Sequence, residues 1–246
     1  MRYLFIEDQC VRQRLHDRKY FLIISLVVTT VLFFASRFVH ADPAEQLAAL
    51  LEPLNSLDGH FQQTLVNDKG ELLQSSKGVF SLQRPGLFRW QTLEPFPQLL
   101  VSNQQNIWLY DEDLEQVIIR PYTEAINKTP ALLLSGDPRQ LSAHYRIARD
   151  TTRQPEDSES KKKSSGRKGS NDTFVLISKN EGVPLTQPFT QIVLFFKHRE
   201  LSKMELTDTL GQISLFNFTH LKVNPVLAAN LFTFEPPPGV DVIVDD

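Results

Sequence analysis

The sequence predicts a mainly β protein of the α+β class, in which one curled sheet carries two short helices and encloses an apolar cavity. Two observations lead to this class. Most of the chain after residue 55 consists of short apolar or alternating runs separated by turn residues, which is typical of an antiparallel meander. Helical spacing of apolar residues is confined to two short segments, one before the first strand and one between strands.

The first 41 residues have the order of a cleavable secretory signal peptide. Basic residues precede an apolar run at 20–35, and small or apolar residues precede a cut after Ala41. The run is shorter than the ~20 residues that span a bilayer, and an uncleaved signal anchor is the alternative. We therefore expect residues 1–41 to be removed and residues 42–246 to form one exported domain.

Net charge and cysteine content indicate which partners and covalent links the exported domain has. The formal net charge is −3, and it becomes −6 without the first 41 residues, which hold six Lys or Arg and three Asp or Glu. Proteins that bind nucleic acid need a basic face, so this balance argues against nucleic acid as a partner. The single cysteine, Cys10, lies in the expected signal peptide, so we expect a soluble domain without disulfides or a lipid anchor.

Both helices are predicted from their start signals. Asp42 is the expected N-cap of the first helix, Pro43 occupies its first turn, and Glu45 completes a capping-box pattern before leucines at helical spacing. The second helix is predicted in NKTPALLLSGDPRQL, residues 127–141, with Thr129 as its cap and Gly136 as its stop.

The expected strands cover most of the remaining chain. One long segment interrupts them: between residues 151 and 172 there is no aliphatic or aromatic residue, which predicts a disordered polar insertion in a hairpin. Its KKK run is read as part of a solvated loop, with a partner-binding patch as the alternative. The strands are expected at residues 60–67, 71–83, 98–103, 106–111, 114–122, 144–150, 173–178, 189–198, 200–208 and 212–221.

The expectation of a cavity comes from strands that do not alternate as a half-buried strand does. In QIVLFF, Ile192, Leu194 and Phe196 would face one way, and Val193 and Phe195 the other. Two short helices cannot cover both faces of such a sheet. We therefore expect the sheet to curl so that part of its concave face becomes an apolar cavity, with an ordinary two-layer core as the alternative.

The sequence carries no recognisable catalytic or metal-binding motif. It has no G-x-S-x-G elbow, H-E-x-x-H pair, P-loop or glycine-rich dinucleotide turn. His60, His144, His198 and His220 are scattered without ligand spacing. We therefore expect a binding protein with no enzymatic activity, no cofactor and no metal.

Five segments occur in a characteristic order over residues 44–246, apart from the insertion: RPGLFRW, QLLVSN, NIWLYD, NKTPALLL and FTFEPPPGVDV. In this ordered set the chain resembles the periplasmic outer-membrane lipoprotein carrier family (LolA). The resemblance implies a single incomplete antiparallel β-barrel with a short-helix lid over a cavity for acyl chains. It also implies a periplasmic shuttle, expected to be a monomer, that accepts lipoproteins from an inner-membrane ABC transporter and delivers them to an outer-membrane receptor.

The resemblance also implies roles for two residues. Arg84, in the R-P-x-x-F motif, would latch the barrel to its lid through backbone carbonyls near Leu51 and near Leu134 or Ser135. The bland alternative is a solvated turn residue. Phe88 would be an exposed aromatic at the cavity mouth, where the transporter docks.

The cavity itself is expected to be lined by aromatic and aliphatic side chains. Trp90 and Trp108 are expected there because each lies in a strand flanked by aliphatic residues. The further lining residues that we expect are Leu132, Leu133, Phe195 and Phe216. Two other functions remain open: an envelope lipid or lipoprotein sensor or scaffold with the same half-barrel, and a lipid hydrolase.

Overall fold

The computed structural model describes residues 42–122, 134–153, 171–179 and 189–245. The expected signal peptide, the first part of the second predicted helix and most of the expected insertion lie outside these residues. The compact unit of the chain that contains the described residues begins at Asp42.

Helix α1 (Pro43–Leu51) begins as its sequence predicts. The Asp42 side chain accepts a hydrogen bond of 3.0 Å from the backbone N–H of Ala44, which satisfies one N–H of the first turn. Further helical residues follow at Leu134 and Ser135, in a 3₁₀ helix at Pro138–Gln140 and in α2 (Leu141–His144). Together with α1, these residues from Leu134 to His144 are called the helical lid.

The described strands form one twelve-stranded sheet. Ten of them overlap the ranges given above, because turn residues separate those strands in the sequence. The strands are β1 (Ser56–Val66), β2 (Leu72–Gln83), β3 (Leu87–Glu94), β4 (Gln98–Asn103), β5 (Asn106–Asp111), β6 (Gln116–Pro121), β7 (Tyr145–Arg149), β8 (Asn171–Ser178), β9 (Phe189–Lys197), β10 (Glu200–Asp208), β11 (Ile213–Val223) and β12 (Asp241–Val244). Strand β3 contains Trp90, which was expected in a strand, and β12 was not predicted.

The sheet consists of two antiparallel meanders that meet at one seam. Strands β1 to β6 form the first meander and β7 to β11 the second, and the pairing of β1 with β11 joins them. Strand β12 pairs in parallel with β6, and the other strand pairs of the described sheet are antiparallel. The two outermost strands, β7 and β12, stand at opposite ends of the strand order, and the barrel is therefore incomplete.

The helical lid packs on one face of the sheet, which is called the inner face. Helix α1 contacts both the 3₁₀ helix of the lid and β7. Leucines of the lid join the side chains of the inner face in one apolar core, as the helical spacing of those leucines predicts. The lid contributes Leu47, Leu50, Leu51, Leu134 and Leu141, and Leu54 joins them from the turn after α1. The sheet contributes, among others, Leu57, Phe61, Phe80, Leu82, Phe88, Trp90, Ile107, Phe174, Leu176, Leu194, Met204, Phe216 and Phe218.

Parts of the opposite face, the outer face, are also covered, which the sequence did not lead us to expect. Leu99 and Val101 point outward from β4 yet are buried. The 3₁₀ helix Ala229–Phe232 packs on β3 and β4, and the ring of Phe234 lies 5.6 Å from that of Tyr110. The C-terminal segment therefore forms a second covering layer, which shields this part of the outer face from water.

Strand β8 begins within the range that was predicted for the polar insertion, of which residues 154–170 lie outside the described residues. Asn171 and Asp172 already belong to β8, where Asp172 pairs with Phe196 of β9. The carboxylate of Asp172 also forms an ion pair with Arg149. A polar residue can thus be the first residue of a strand when its side chain forms an ion pair. The composition of the segment does not reveal such a contact.

In the described part of the chain, no helix has the length and apolar character needed to cross a membrane.

Candidate functional site

The Arg84 side chain connects the sheet to the helical lid. Arg84 follows the last residue of β2, and its Nε and Nη2 donate to the carbonyl oxygen of Leu134 at 3.1 and 3.0 Å. Its Nη1 donates to the carbonyl oxygen of Leu51, the last residue of α1. Carbonyls at a helix C-terminus lack intrahelical partners and carry partial negative charge, so a guanidinium fork suits them.

The turn that carries Arg84 is fixed by further hydrogen bonds. The backbone N–H of Arg84 donates to the Asn55 carbonyl at 2.8 Å, and that of Gly86 donates to the Ser135 carbonyl at 3.1 Å. Gly86 has a positive φ of 67°, and an added Cβ would lie 2.7 Å from the Tyr122 ring. Only glycine fits this position without strain, so the turn holds Arg84 in a defined place beside the lid.

Burial alters the electrostatics of Arg84. Removal from water lowers the pKa of its guanidinium, and the nearby Asp137 carboxylate raises it again in part. An arginine stays protonated in proteins, so the group remains a cation. A partly buried cation without good hydrogen bonds is costly, and the Leu51 and Leu134 carbonyls supply those bonds.

The inner face below the lid carries an aromatic cluster, defined as Phe61, Phe80, Trp90, Phe216 and Phe218. Trp90 lies at its centre, with ring centres 4.4 Å from Phe61, 5.1 Å from Phe80 and 5.8 Å from Phe216. Rings at these distances in stacked and edge-to-face arrangements attract each other beyond their apolar burial. The inner face below the lid is therefore apolar, as predicted, and aromatic rings are in contact at its centre.

Two of the residues expected in the cavity lie on the inner face and two do not. Trp90 and Phe216 belong to the aromatic cluster. Trp108 pairs with Val101 of β4, which pairs with Arg89 of β3, and all three point to the outer face. The expectation for Trp108 is therefore wrong, since side chains one residue apart in a strand face opposite ways.

Phe195 also lies on the outer face rather than in the expected cavity. It pairs with Lys203, whose Nζ lies 5.0 Å from the centre of the Phe195 ring on the outer face, while Leu194 and Phe196 point into the core. The expectation that Phe195 lines the cavity is wrong because an uninterrupted apolar run does not reveal which of its residues points inward. Leu132 and Leu133 lie outside the described residues.

Phe88 is not the exposed aromatic that we expected. It lies on the inner face of β3 and is only 1% exposed. The R-P-x-x-F motif places its phenylalanine two residues before Trp90 in the same strand, and therefore on the same buried face. The expectation of an exposed docking residue is thus wrong for this arrangement.

A pocket opens on the inner face at the strand ends opposite Arg84. Its volume is about 590 Å³. Phe96 and Leu114 stand exposed at its rim, and no sequence signal predicts the pocket because its lining comes from five strands. It is lined by Gln63, Gln74, Ser76, Thr92, Phe96, Gln98, Asp111, Asp113 and Leu114.

Comparison with known proteins identifies relatives over nearly the whole chain. Residues 52–235 match the family model described as outer membrane lipoprotein carrier protein LolA. A protein of Pseudomonas aeruginosa (strain UCBPP-PA14) named outer-membrane lipoprotein carrier protein is 37% identical over 226 residues, covering 90% of this chain and 98% of that protein. One of the same name from Legionella pneumophila (strain Corby) is 35% identical, covering 89% and 98%.

One solved structure supports the fold. A crystal structure of an uncharacterized conserved protein from Thermus thermophilus is similar with a TM-score of 0.50 at 13% identity, covering 82% of this chain and 99% of that one. At this identity the likeness bears on the fold alone.

Proposed function

The chain belongs to the outer membrane lipoprotein carrier protein family, and from this premise we propose that it is a periplasmic carrier that binds the acyl chains of lipoproteins between its sheet and its helical lid. It takes lipoproteins released from the inner membrane by an ABC transporter and delivers them to an outer-membrane receptor. It acts as a monomeric binding protein rather than an enzyme.

The observation that supports the proposal is that one guanidinium group, that of Arg84, donates hydrogen bonds to two backbone carbonyls of the lid. Arg84 donates to Leu51 at the end of α1 and to Leu134 further along the lid, so one side chain fixes both parts of the lid over the apolar interior. Each hydrogen bond to a charged group contributes ~1.5–3 kcal/mol net. We infer that Arg84 is a latch that holds the lid closed when no lipid is bound.

Energetics favour opening of this latch by acyl chains. Each buried methylene contributes ~0.8 kcal/mol, so one long acyl chain gains on the order of 10 kcal/mol on leaving water. The three Arg84 bonds together contribute about 4.5–9 kcal/mol, so the gain from a single chain already exceeds their loss. Because Trp90 lies at the centre of the aromatic cluster on the inner face, acyl chains that enter below the lid contact this cluster.

The carrier function is tested by depletion of the protein. If it carries lipoproteins, outer-membrane lipoproteins accumulate in the inner membrane when it is depleted, and unchanged fractionation contradicts the proposal. Mass spectrometry of co-purified material separates the other candidates. Intact triacylated lipoprotein supports a carrier, whereas free fatty acid favours a hydrolase; normal lipoprotein sorting with an altered envelope stress response favours a sensor.

A further inference from the structure

Two histidines lie side by side on the outer face of the seam between the two meanders. His60 belongs to β1 and His220 to β11, and their ring centres are 5.0 Å apart with the ring planes tilted by 47°. Both side chains are exposed to solvent. They are far apart in the sequence, so only the pairing of β1 with β11 brings them together.

A β-bulge is the reason that His220 reaches this face. The pairing runs from Asp58 with Lys222 to His60 with Thr219, so His220 and Leu221 together oppose Gly59. Strict alternation from Phe218, which points inward, would place His220 on the inner face. The extra residue of the bulge changes that direction, and His220 takes a positive φ of 53°, which is uncommon for a residue other than glycine.

The separation of the two rings matches the geometry of a shared metal ion. An imidazole nitrogen lies about 1.1 Å from its ring centre and about 2.0–2.1 Å from a bound Zn²⁺. Two imidazoles that bind one ion therefore have ring centres about 4.5–5.2 Å apart when the N–Zn–N angle lies between a right angle and the tetrahedral angle. The observed 5.0 Å falls within this range. Because both rings are exposed, each can turn to present one nitrogen.

We propose that His60 and His220 form a binding site for a late first-row transition metal ion such as Zn²⁺, which bridges β1 and β11. Neutral imidazole is the commonest protein ligand for such ions. Asp58, two residues before His60 on the same face, is engaged by the Ser81 hydroxyl at 2.9 Å and by the Lys222 ammonium at 3.2 Å. Within the described ranges no group of three or more metal-binding side chains occurs, so the proposed site has two protein ligands from this part of the chain.

Such a site would act on the seam between the two meanders. In the described sheet, β1 and β11 are the only strands through which the two meanders pair. An ion held by one histidine from each strand binds the paired seam more tightly than the separated strands. Metal binding therefore raises the stability of the folded protein by linkage, independently of any bound lipid.

The test measures thermal unfolding and metal affinity of the purified, untagged protein with ZnCl₂ alone. The variants are His60→Asn and His220→Asn, with His198→Asn as the matched control. His198 is also exposed and also has a φ of 53°, but it lies in the turn between β9 and β10. We expect Zn²⁺ to raise the melting temperature of wild type and His198→Asn, and either seam variant to bind Zn²⁺ at least about tenfold more weakly, as losses of ligand support alone cost 10–100-fold.

Two results would overturn the proposal: an equal response to Zn²⁺ in all four proteins, or no response in wild type. Melting in EDTA checks that the seam variants fold. If one does not, nuclear magnetic resonance of the wild type decides. Added Zn²⁺ must then shift the ring signals of His60 and His220 and leave that of His198 unchanged, and a shift of neither seam histidine contradicts the site.

Discussion

The Arg84 guanidinium and the Leu134 carbonyl are joined by two hydrogen bonds, 3.1 Å from Nε and 3.0 Å from Nη2. Nη1 of the same group reaches Leu51, so the end of α1 and the later part of the lid are held from one point of the sheet. Loss of the Arg84 guanidinium should therefore loosen both parts of the lid together.

Replacement of Arg84 by leucine should separate loading from delivery. Leucine cannot donate to the lid carbonyls, so the closed state loses hydrogen bonds that contribute ~1.5–3 kcal/mol each. It also adds an apolar side chain beside bound acyl chains. We expect Arg84→Leu to accept lipoprotein and to release it poorly to purified receptor, with Arg84→Lys intermediate because it lacks the planar fork.

The matched control is Arg89→Leu, which removes an arginine from the outer face of β3. It should transfer lipoprotein as wild type does. Delivery by Arg84→Leu at the wild-type rate, with loading measured separately, would show that Arg84 is an ordinary turn residue.

The two tryptophans should respond differently to lipid. Trp90 lies in the aromatic cluster, whereas Trp108 points to the outer face, and the chain has only these two. A triacylated lipopeptide should therefore change the fluorescence of Trp108→Phe, which retains Trp90, and leave that of Trp90→Phe nearly unchanged. The reverse pattern would place the lipid on the outer face.

Substitution of Phe88 by glutamate should destabilise the fold. Phe88 is 1% exposed, and loss of a buried phenylalanine alone costs about 3–5 kcal/mol before the cost of burying a carboxylate is added. Phe96→Glu is the control, since Phe96 is 58% exposed and should tolerate the charge. Urea unfolding of both variants checks this, and equal midpoints would contradict the burial of Phe88.

Gly78 should not tolerate a methyl group. An added Cβ would meet the Gln91 carbonyl and lie 2.7 Å from the Phe61 ring, which stacks on Trp90. We expect Gly78→Ala to lose about 1–3 kcal/mol of stability or more and to shift Trp90 fluorescence.

Gly70→Ala provides the comparison for Gly78. Gly70 has a φ of 80° and no neighbour within 4 Å of an added Cβ, so its substitution carries only the backbone strain of about 1–2 kcal/mol. It should leave the fluorescence spectrum unchanged. A Gly78→Ala spectrum identical to that of wild type would mean that the Phe61 ring does not move.

Local sequence determined the elements of this protein. The start of α1 at Asp42 and Pro43, and strands such as β4, β5 and β10, follow from capping residues, apolar runs and turn residues that act within a few positions. The ordered segments also identified the family, and this resemblance implied a contact between Arg84 and the lid. In the structure Arg84 donates to the Leu51 and Leu134 carbonyls.

Tertiary structure alone decided which side chains face each other. Trp108 and Phe195 lie in apolar runs without alternation, so only the strand register reveals that they point outward. Gln63 and Asp111 line one pocket, and His60 meets His220, because strands distant in the sequence are paired through a chain of hydrogen bonds. A one-residue bulge or shift reverses the face of a side chain, and such a shift depends on the whole sheet rather than on neighbouring residues.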